Sequence, residues 1–424
     1  MCMHIYFSGL GGVAIGPLAE IARDAGYQVS GSDLSDSLMT TQLRESGMNV
    51  LIGQDGSQIA EVHSEKPIDW FVYTAALPED HPELVFAREH GIKTSKRDEL
   101  IAHIIREKNL KLIAICGTHG KTTTTSMAVW ALKQLGIPVS YSVGTTLSFG
   151  PSGVFDPESK YFVYECDEFD RNMLHFEPAL SLITSIDHDH FDTYPTASDY
   201  AQAFVQFIEQ SEYSLLWERD LRYLQTDLQA DYEAYDEHMD LSHLKLPGDH
   251  VRHNAFLVEQ ALKRLLPDES PAKIVSTLNE FPGADRRMER LADNLYSDYG
   301  HHPVEIAATL QSARELSDHV VLVYQPHQNV RQHEVRDEYT DVMELAEKIY
   351  WLPTYLTREH QDLEVLTPQQ LSENLTNRDA VEFADFDDEL WQAIERERAA
   401  GKLVLVMGAG PIDGWVRQQL ADNR

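Results

Sequence analysis

Cysteine is scarce in this 424-residue chain. The three residues, Cys2, Cys116 and Cys166, are an odd number, widely spaced, with no CxxC pair. That argues against a disulfide framework and against a cysteine zinc site, and it predicts a reduced, cytoplasmic setting. Positive charge is scarce as well: 35 Lys and Arg stand against 69 Asp and Glu, a net charge of −34. Such a chain lacks the basic footprint that DNA, RNA or an anionic membrane requires. Any phosphate it binds must therefore meet a local site. No apolar run reaches the roughly 18 residues of a membrane span. The opening M-C-M-H-I-Y-F-S-G has no basic stretch before a long apolar one, so no secretory leader is expected. Low-complexity segments and solenoid repeats are also missing. What is present is ordinary globular composition, 42% apolar and 25% charged, in a length that suggests about three domains.

The chain alternates short apolar strands with helical patterns three times over. Residues 4–8, 27–33 and 70–75 read as strands, 11–26 as a turn and helix, and 100–108 as the helix that closes a first domain. A second alternation has strands at 110–116, 161–166 and 180–186 and helices at 198–210 and 252–266, with 225–243 expected as an acidic surface excursion. A third starts near Asn294, with strands at 295–298, 320–324, 349–352 and 403–407 and a proline-led helix at 303–317. Strands alternating with helices imply parallel sheets covered on both faces. The expected fold is α/β in three domains: a Rossmann-like N-terminal domain (1–107), a central P-loop ATPase-type domain (108–285) and a Rossmann-like C-terminal domain (286–424).

The sharpest chemical signal is Gly117-Thr118-His119-Gly120-Lys121-Thr122-Thr123, set between the apolar strand L-K-L-I-A-I-C and a helical run. A strand, a glycine loop and a helix start together form a phosphate cradle. The glycines let backbone N–H groups turn inward, the helix N-terminus adds partial positive charge, Lys121 can reach the β- and γ-phosphates, and the Thr122 hydroxyl can ligate Mg²⁺. Ile115 stands where the longer loop pattern has its first glycine, so only the shorter form G-T-x-G-K-T is kept. The bland alternative is a threonine-rich turn opening a helix.

Further motifs follow in order: Glu165-Cys-Asp167-Glu168-Phe-Asp170, Asp187-His-Asp189-His190-Phe-Asp192, Pro247-Gly248 through His250 to Asn254-Ala255, Gly283-Ala-Asp-Arg286-Arg287, Asp298-Tyr299-Gly300-His301-His302-Pro303 and Gln325-Pro326-His327. With the phosphate loop, they resemble the ATP-dependent Mur ligase family, to which folylpolyglutamate synthases are related. The resemblance covers essentially the whole chain, and the last two motifs are most similar to the family member that attaches the first amino acid to the sugar. It implies phosphorylation of the lactyl carboxylate of UDP-N-acetylmuramate by ATP. An amino acid, L-alanine first among the choices, then displaces phosphate from the acyl phosphate in peptidoglycan precursor synthesis.

The resemblance also implies roles. Lys121, Glu165 and His190 would be catalytic, with Thr122 and Glu165 on one Mg²⁺ and His190 near a second. Gly117 to Thr123 would bind ATP together with Asn254 at the adenine and Arg287 and Asp298 from the third domain. Gly9, Gly11, Gly12 and Asp33, which read G-x-G-x-x-A with Ala14, would seat the UDP of the substrate rather than NAD. Tyr299, His301 and Arg331 would lie near the incoming amino acid, Arg331 as a bidentate clamp on its carboxylate. Structural alternatives stay open: a Glu165–Lys121 ion pair, a buried Arg287–Asp298 bridge, tight packing at the N-terminal glycines, and either His301 or His302 assisting amine deprotonation. Arg97 matches a family position without an assigned contact, and Asp167, Glu168 and Asp170 either orient substrate or solvate a turn.

The chain departs from the family in places. Gln328 and His333 stand where arginines usually follow Q-P-H, leaving glycine and L-serine open beside L-alanine. Ser185 replaces an asparagine and Asp249 an arginine, and the central domain is short between Leu215 and Leu246. No lysine occurs between Lys160 and Lys245, which fits the alanine-adding member rather than those that carry a modified lysine there. Rival readings are a ligase that recycles a whole tripeptide onto the same sugar, a nicotinamide oxidoreductase, and a UDP-sugar binder without turnover.

Overall fold

The computed structural model describes every residue except Met1, Val13, Ala75, Ala76, Phe191, Asp192, Arg358, His360, Gln361 and Arg424. The chain forms two compact units, one of Met1–Asp240 with Ala255–Phe281 and one of Leu241–Asn254 with Pro282–Arg424. The first unit carries two sheets and the second carries one. The α/β expectation therefore holds, with three largely parallel sheets.

The first sheet contains β1 (His4–Ser8), β2 (Gln28–Asp33), β3 (Asn49–Ile52), β4 (Trp70–Tyr73) and β5 (Lys93–Lys96) in the order β3-β2-β1-β4-β5, every pair parallel. This is the doubly wound order whose switch point lies between β1 and β4. Its central strands β1 and β4 are short and buried, which is why they read as apolar runs, whereas the edge strands β3 and β5 are partly exposed. The strand expected at 70–75 ends at Tyr73, and its last position, Ala75, lies outside the described residues.

The second sheet holds β6 (Lys111–Cys116), β7 (Val139–Ser142), β8 (Gly153–Val154), β9 (Tyr161–Glu165), β10 (Leu180–Ile183), β11 (Ser214–Trp217) and β12 (Tyr232–Tyr235). Their order is β12-β11-β10-β6-β9-β7-β8, so the strand feeding the phosphate loop is central. Only β8 runs antiparallel, beside β7. Two expectations need correction. The segment 225–243 is not only surface: it contains β12, paired to β11 with Trp217 opposite Tyr235. As a four-residue edge strand, Y-E-A-Y is too short and too exposed to leave a period in the sequence. The strand expected at 180–186 stops at Ile183; beyond it the Thr184 hydroxyl donates to His119 O and Ser185 O accepts from Thr118 N in the loop after β6.

The third sheet is β13 (Glu289–Ala292), β14 (Leu295–Asp298), β15 (Val320–Tyr324), β16 (Lys348–Trp351), β17 (Val381–Phe383) and β18 (Leu403–Met407), ordered β13-β14-β18-β15-β16-β17. Only β13 is antiparallel, in a hairpin with β14 that turns through Asn294 at φ +58°. Under it lies an aromatic core of Tyr324, Tyr339 and Trp351.

Gly31 shows how closely β1 and β2 approach. A Cβ there would lie 2.2 Å from the Phe7 carbonyl oxygen and 2.9 Å from Leu10 Cδ1. Backbone cannot give way as a side chain can, so Gly31→Ala is expected to lower unfolding stability by about 1–3 kcal/mol. Urea denaturation against the unmodified chain measures this.

Candidate active site

The phosphate loop is shaped by its neighbour strand. Gly117 has φ +138°, and a Cβ would sit 2.3 Å from Thr184 Oγ1 and 2.9 Å from Ser185 N, so only glycine fits. Thr118 N donates to Ser185 O at 2.9 Å, and His119 N donates to Ser185 Oγ at 3.0 Å. The Thr118 hydroxyl donates to Asp187 O and accepts from Asp187 N, both at 2.8 Å. Gly120, at φ +85°, opens the helix Lys121–Gln134. The first ladder bond there is Thr124 N to Gly120 O, which leaves the amides of Lys121, Thr122 and Thr123 outside the helical ladder, as an anion site requires. Thr124, Thr125 and Ser126 bond back to the carbonyls four residues earlier. This accounts for a polar run inside a buried helix.

Lys121 is turned inward. Its ammonium donates to Glu168 Oε1 at 3.0 Å and to Gly117 O at 2.6 Å, and stands 2.8 Å from Glu168 Oε2 as an ion pair. The expected alternative, a Lys121–Glu165 pair, therefore does not form; the partner is Glu168. Burial works against the charge, yet Glu168 and Asp167 outweigh it and hold Lys121 above the usual ammonium range. Glu168 is wholly buried; burial pushes its carboxyl up, but Lys121 and His190 pull it below the usual carboxylate range. Glu165 accepts from the Thr122 hydroxyl and from Gly144 N, each at 2.7 Å.

His190 approaches Glu168 Oε1 at 3.2 Å. Burial depresses its ring pKa, but Glu168 and Asp189 raise it on balance. Ligand atoms of Asp167, Glu168 and His190 lie within 4.8 Å of one another. The structure thus joins Thr122 to Glu165 and His190 to Glu168. Asp192 of the same motif lies outside the described residues. Arg97 pairs with Asp98 at 3.3 Å and Asp167 at 3.6 Å, and Lys96 pairs with Asp170. These contacts tie the end of β5 to the acidic segment after β9.

At the ends of β1 and β2, Gly9, Gly11, Gly12 and Asp33 come together. Gly9 N donates to Ser32 O at 2.9 Å, Gly12 N to Gly9 O at 3.0 Å, and Gly11 N to Asp33 Oδ2 at 2.7 Å. A Cβ on Gly11 would meet Ser37 Oγ at 2.9 Å and Asp33 Oδ2 at 3.0 Å.

In the second unit Tyr299, His301 and Arg331 also meet. Arg331 Nη1 lies 2.7 Å from His301 Nε2, His301 Nδ1 lies 3.2 Å from Tyr299 O, and the Tyr299 and His301 rings are 5.6 Å apart. A buried chain sets Arg331's helix, Asn329–Val335: Tyr339 OH donates to Gln332 Oε1 at 2.8 Å and meets Tyr324 OH at 2.9 Å. His302 is instead the cap of the helix Pro303–Leu316. The arginine positions that Gln328 and His333 occupy are remodelled. Gln328, at φ +61°, bonds through its N–H to Tyr355 O at 2.9 Å, and His333 Nε2 lies 2.8 Å from Glu364 O.

Asp298 accepts Gly300 N at 2.7 Å and Met288 N at 2.8 Å, and its carboxyl is raised by burial. The Arg287 guanidinium lies 5.2 Å from the Tyr299 ring, and Asn254 is buried on the helix Asp249–Leu265.

Sequence reasoning missed two features. Glu168 was one carboxylate among several in a run of acids, with nothing to mark it as the buried one. Gly408-Ala-Gly410, after β18, was available as a strand, G-x-G and helix pattern. Gly408 has φ +153°, and a Cβ on Gly410 would lie 2.5 Å from Gln325 Oε1, so this loop packs directly on the Q-P-H segment.

Comparison with known proteins gives three family-model matches along the chain. They are Mur ligase family, catalytic domain at 4–109, Mur ligase middle domain at 115–236, and Mur ligase, glutamate ligase domain at 286–410. UDP-N-acetylmuramate–L-alanine ligase of Leptothrix cholodnii is 32% identical over 97% of this chain and 96% of its own length. The enzyme of the same name from Caldicellulosiruptor bescii is 32% identical over 96% of each. Among solved structures, UDP-N-acetylmuramate-alanine ligase of Thermotoga maritima superposes with a TM-score of 0.75 at 22% identity, covering 99% of both chains. A murein peptide ligase of Psychrobacter arcticus gives 0.65 at 21%, covering 99% of this chain and 98% of its own.

Burial depresses His250 and His301 from 6.5 to about 4. Between those values the unfolded chain binds more protons than the folded one. Their stabilising neutrality is thus intact above about pH 6.5 and is lost as the pH falls toward 4. Melting temperature is expected to drop across that window, and His250→Gln to flatten the drop; thermal unfolding scanned against pH tests both.

Proposed function

The chain belongs to the Mur ligase family, and we propose that it joins L-alanine to the lactyl carboxylate of UDP-N-acetylmuramate at the expense of ATP, in peptidoglycan precursor synthesis. The observation that carries this reading is the meeting of Lys121, Glu165, Glu168 and His190 around a glycine loop at a helix start. Near-full-length similarity to ligases of that name supports it.

A carboxylate is a poor electrophile, and its phosphorylation turns it into an acyl phosphate. The γ-phosphoryl group moves to a carboxylate oxygen and ADP leaves; the amine then attacks the acyl carbon, phosphate departs, and the amine loses a proton. The protein's part in the first step is positioning and charge. The free amides of Lys121, Thr122 and Thr123 face the phosphates, and the Lys121 ammonium meets the γ-phosphate oxygens.

Thr122 with Glu165, and Asp167, Glu168 and His190, are oxygen-rich sets that fit a hard divalent cation. Thr122 and Glu165 would hold one Mg²⁺ and His190 with Glu168 a second. Mg²⁺ there supplies charge that offsets the crowded phosphate and carboxylate oxygens. By family resemblance Asn254 and Arg287 are assigned to ATP, while Asp298 shapes the turn that carries Arg287 and Tyr299. Gly9, Gly11, Gly12 and Asp33 seat the UDP.

Arg331 grips the carboxylate of the amino acid. His301, neutral and held at both ring nitrogens, orients that guanidinium instead of removing the amine's proton. A single arginine in this segment suits one small amino acid.

Phosphate release by the purified chain with ATP, Mg²⁺, UDP-N-acetylmuramate and either L-alanine, L-serine, glycine or tripeptide tests the reading. Release is expected to require the sugar and L-alanine, and to fall about a hundredfold or more in Lys121→Ala. Release with tripeptide alone would make the chain a recycling ligase, and no release above the Lys121→Ala blank would leave a binder. Arg331→Lys, which keeps charge but loses the planar fork, is expected to raise KM for the amino acid while KM for ATP stays put.

A further inference from the structure

Beneath the N-terminal glycine loop lies a buried carboxylate that the proposed reaction does not use. Glu83, in the first turn of the helix Pro82–Glu89, is 0% exposed. Tyr6 OH donates to its Oε1 at 2.8 Å, and the Ser8 and Ser32 hydroxyls donate to its Oε2 at 2.7 and 2.8 Å. Ser8 and Ser32 are register partners on β1 and β2, immediately before Gly9 and Asp33. Burial holds the Glu83 carboxyl above the usual carboxylate range, against the opposing pull of the Ser8, Ser32 and Tyr6 hydroxyls.

The network has a direction. With the hydroxyl protons turned to Glu83, the serine oxygens present lone pairs on their other side. Gln54 Nε2 fills these, donating to Ser8 Oγ at 2.9 Å and Ser32 Oγ at 3.1 Å, with Glu83 Oε2 at 3.4 Å. A flipped amide would set its oxygen against a carboxylate, so the orientation is fixed. The Gln54 Oε1 consequently points away from the network and has no partner among the described residues. Gly53 N donates to Asp33 O at 2.8 Å, which places Gln54 beside Asp33 at the carboxyl ends of the strands, where ligands of doubly wound sheets bind.

We propose that Gln54, oriented by Glu83, is a specificity-determining residue for the UDP-sugar, its Oε1 accepting a hydrogen bond from a uridine donor, either the uracil imide N–H or the ribose 2′-hydroxyl. This rests on the reading that the first sheet seats UDP. Where the donor is the imide, cytidine, which carries an acceptor at that position, would leave this amide oxygen facing a lone pair. Glu83 is a positioning residue: it touches no ligand and acts through Gln54.

Calorimetric titration with UDP, N3-methyl-UDP and 2′-deoxy-UDP tests the proposal. The unmodified chain is expected to bind one analogue about three- to tenfold more weakly than UDP, which names the donor, and Gln54→Leu to bind UDP and that analogue alike. Glu83→Gln, with its melting temperature checked, is expected to weaken UDP as Gln54→Leu does, and the double variant no further. UDP affinity unchanged in Gln54→Leu, or analogue discrimination retained in it, would overturn the role of Gln54. An additive loss in the double variant would overturn the role of Glu83. Gly11→Ala separates the two readings. If it loses UDP while Gln54→Leu does not, the seat stands and this inference fails; if it too binds UDP normally, the seat lies elsewhere and both fail.

Discussion

The ion pair between Lys121 and Glu168 is the contact on which the glycine loop and its neighbours in the first unit depend. A wholly buried carboxylate is tolerable only with a cation and donors around it, and here it has an ammonium on one side and an imidazole on the other. Three segments converge on that one group: the loop after β6, the acidic stretch after β9 and the turn after β10. Removing either partner would strand a buried charge.

Electrostatics elsewhere follows the same logic on a smaller scale. Glu83 is satisfied by hydroxyls and an amide, Asp298 by backbone amides, and Arg331 is steered by a neutral histidine. In an acidic chain, positive charge is used locally, one side chain at a time, and backbone N–H groups do much of the remaining work.

Most of the architecture was legible because buried parallel strands write themselves as apolar runs. β1, β6, β15 and β18 fall within a residue of expectation for that reason. β12 was not legible, since a short edge strand half open to water leaves no pattern. Residues fixed to a motif could be named: Lys121, Thr122 and His190 around the glycine loop of the first unit and, separately, Arg331 beside His301 in the second. Which acid would answer Lys121 could not be, because Glu165, Asp167 and Glu168 differ in the direction each takes as the chain leaves β9, and direction is a tertiary property. The oriented amide of Gln54 was invisible for a related reason: its meaning depends on Glu83, 29 residues away.

The sewing of the phosphate loop to Ser185 has a consequence for how the chain acquires function. The loop residues and the strand end that shapes them are separated by 65 positions or more, with β7, β8 and β9 between them. The loop is thus not a self-contained turn that a nascent chain could form on emerging. Its shape has to wait for β10 to dock beside β6, a non-local closure of the slow kind. A chain interrupted before that point would contain every residue of the nucleotide motif and none of its form.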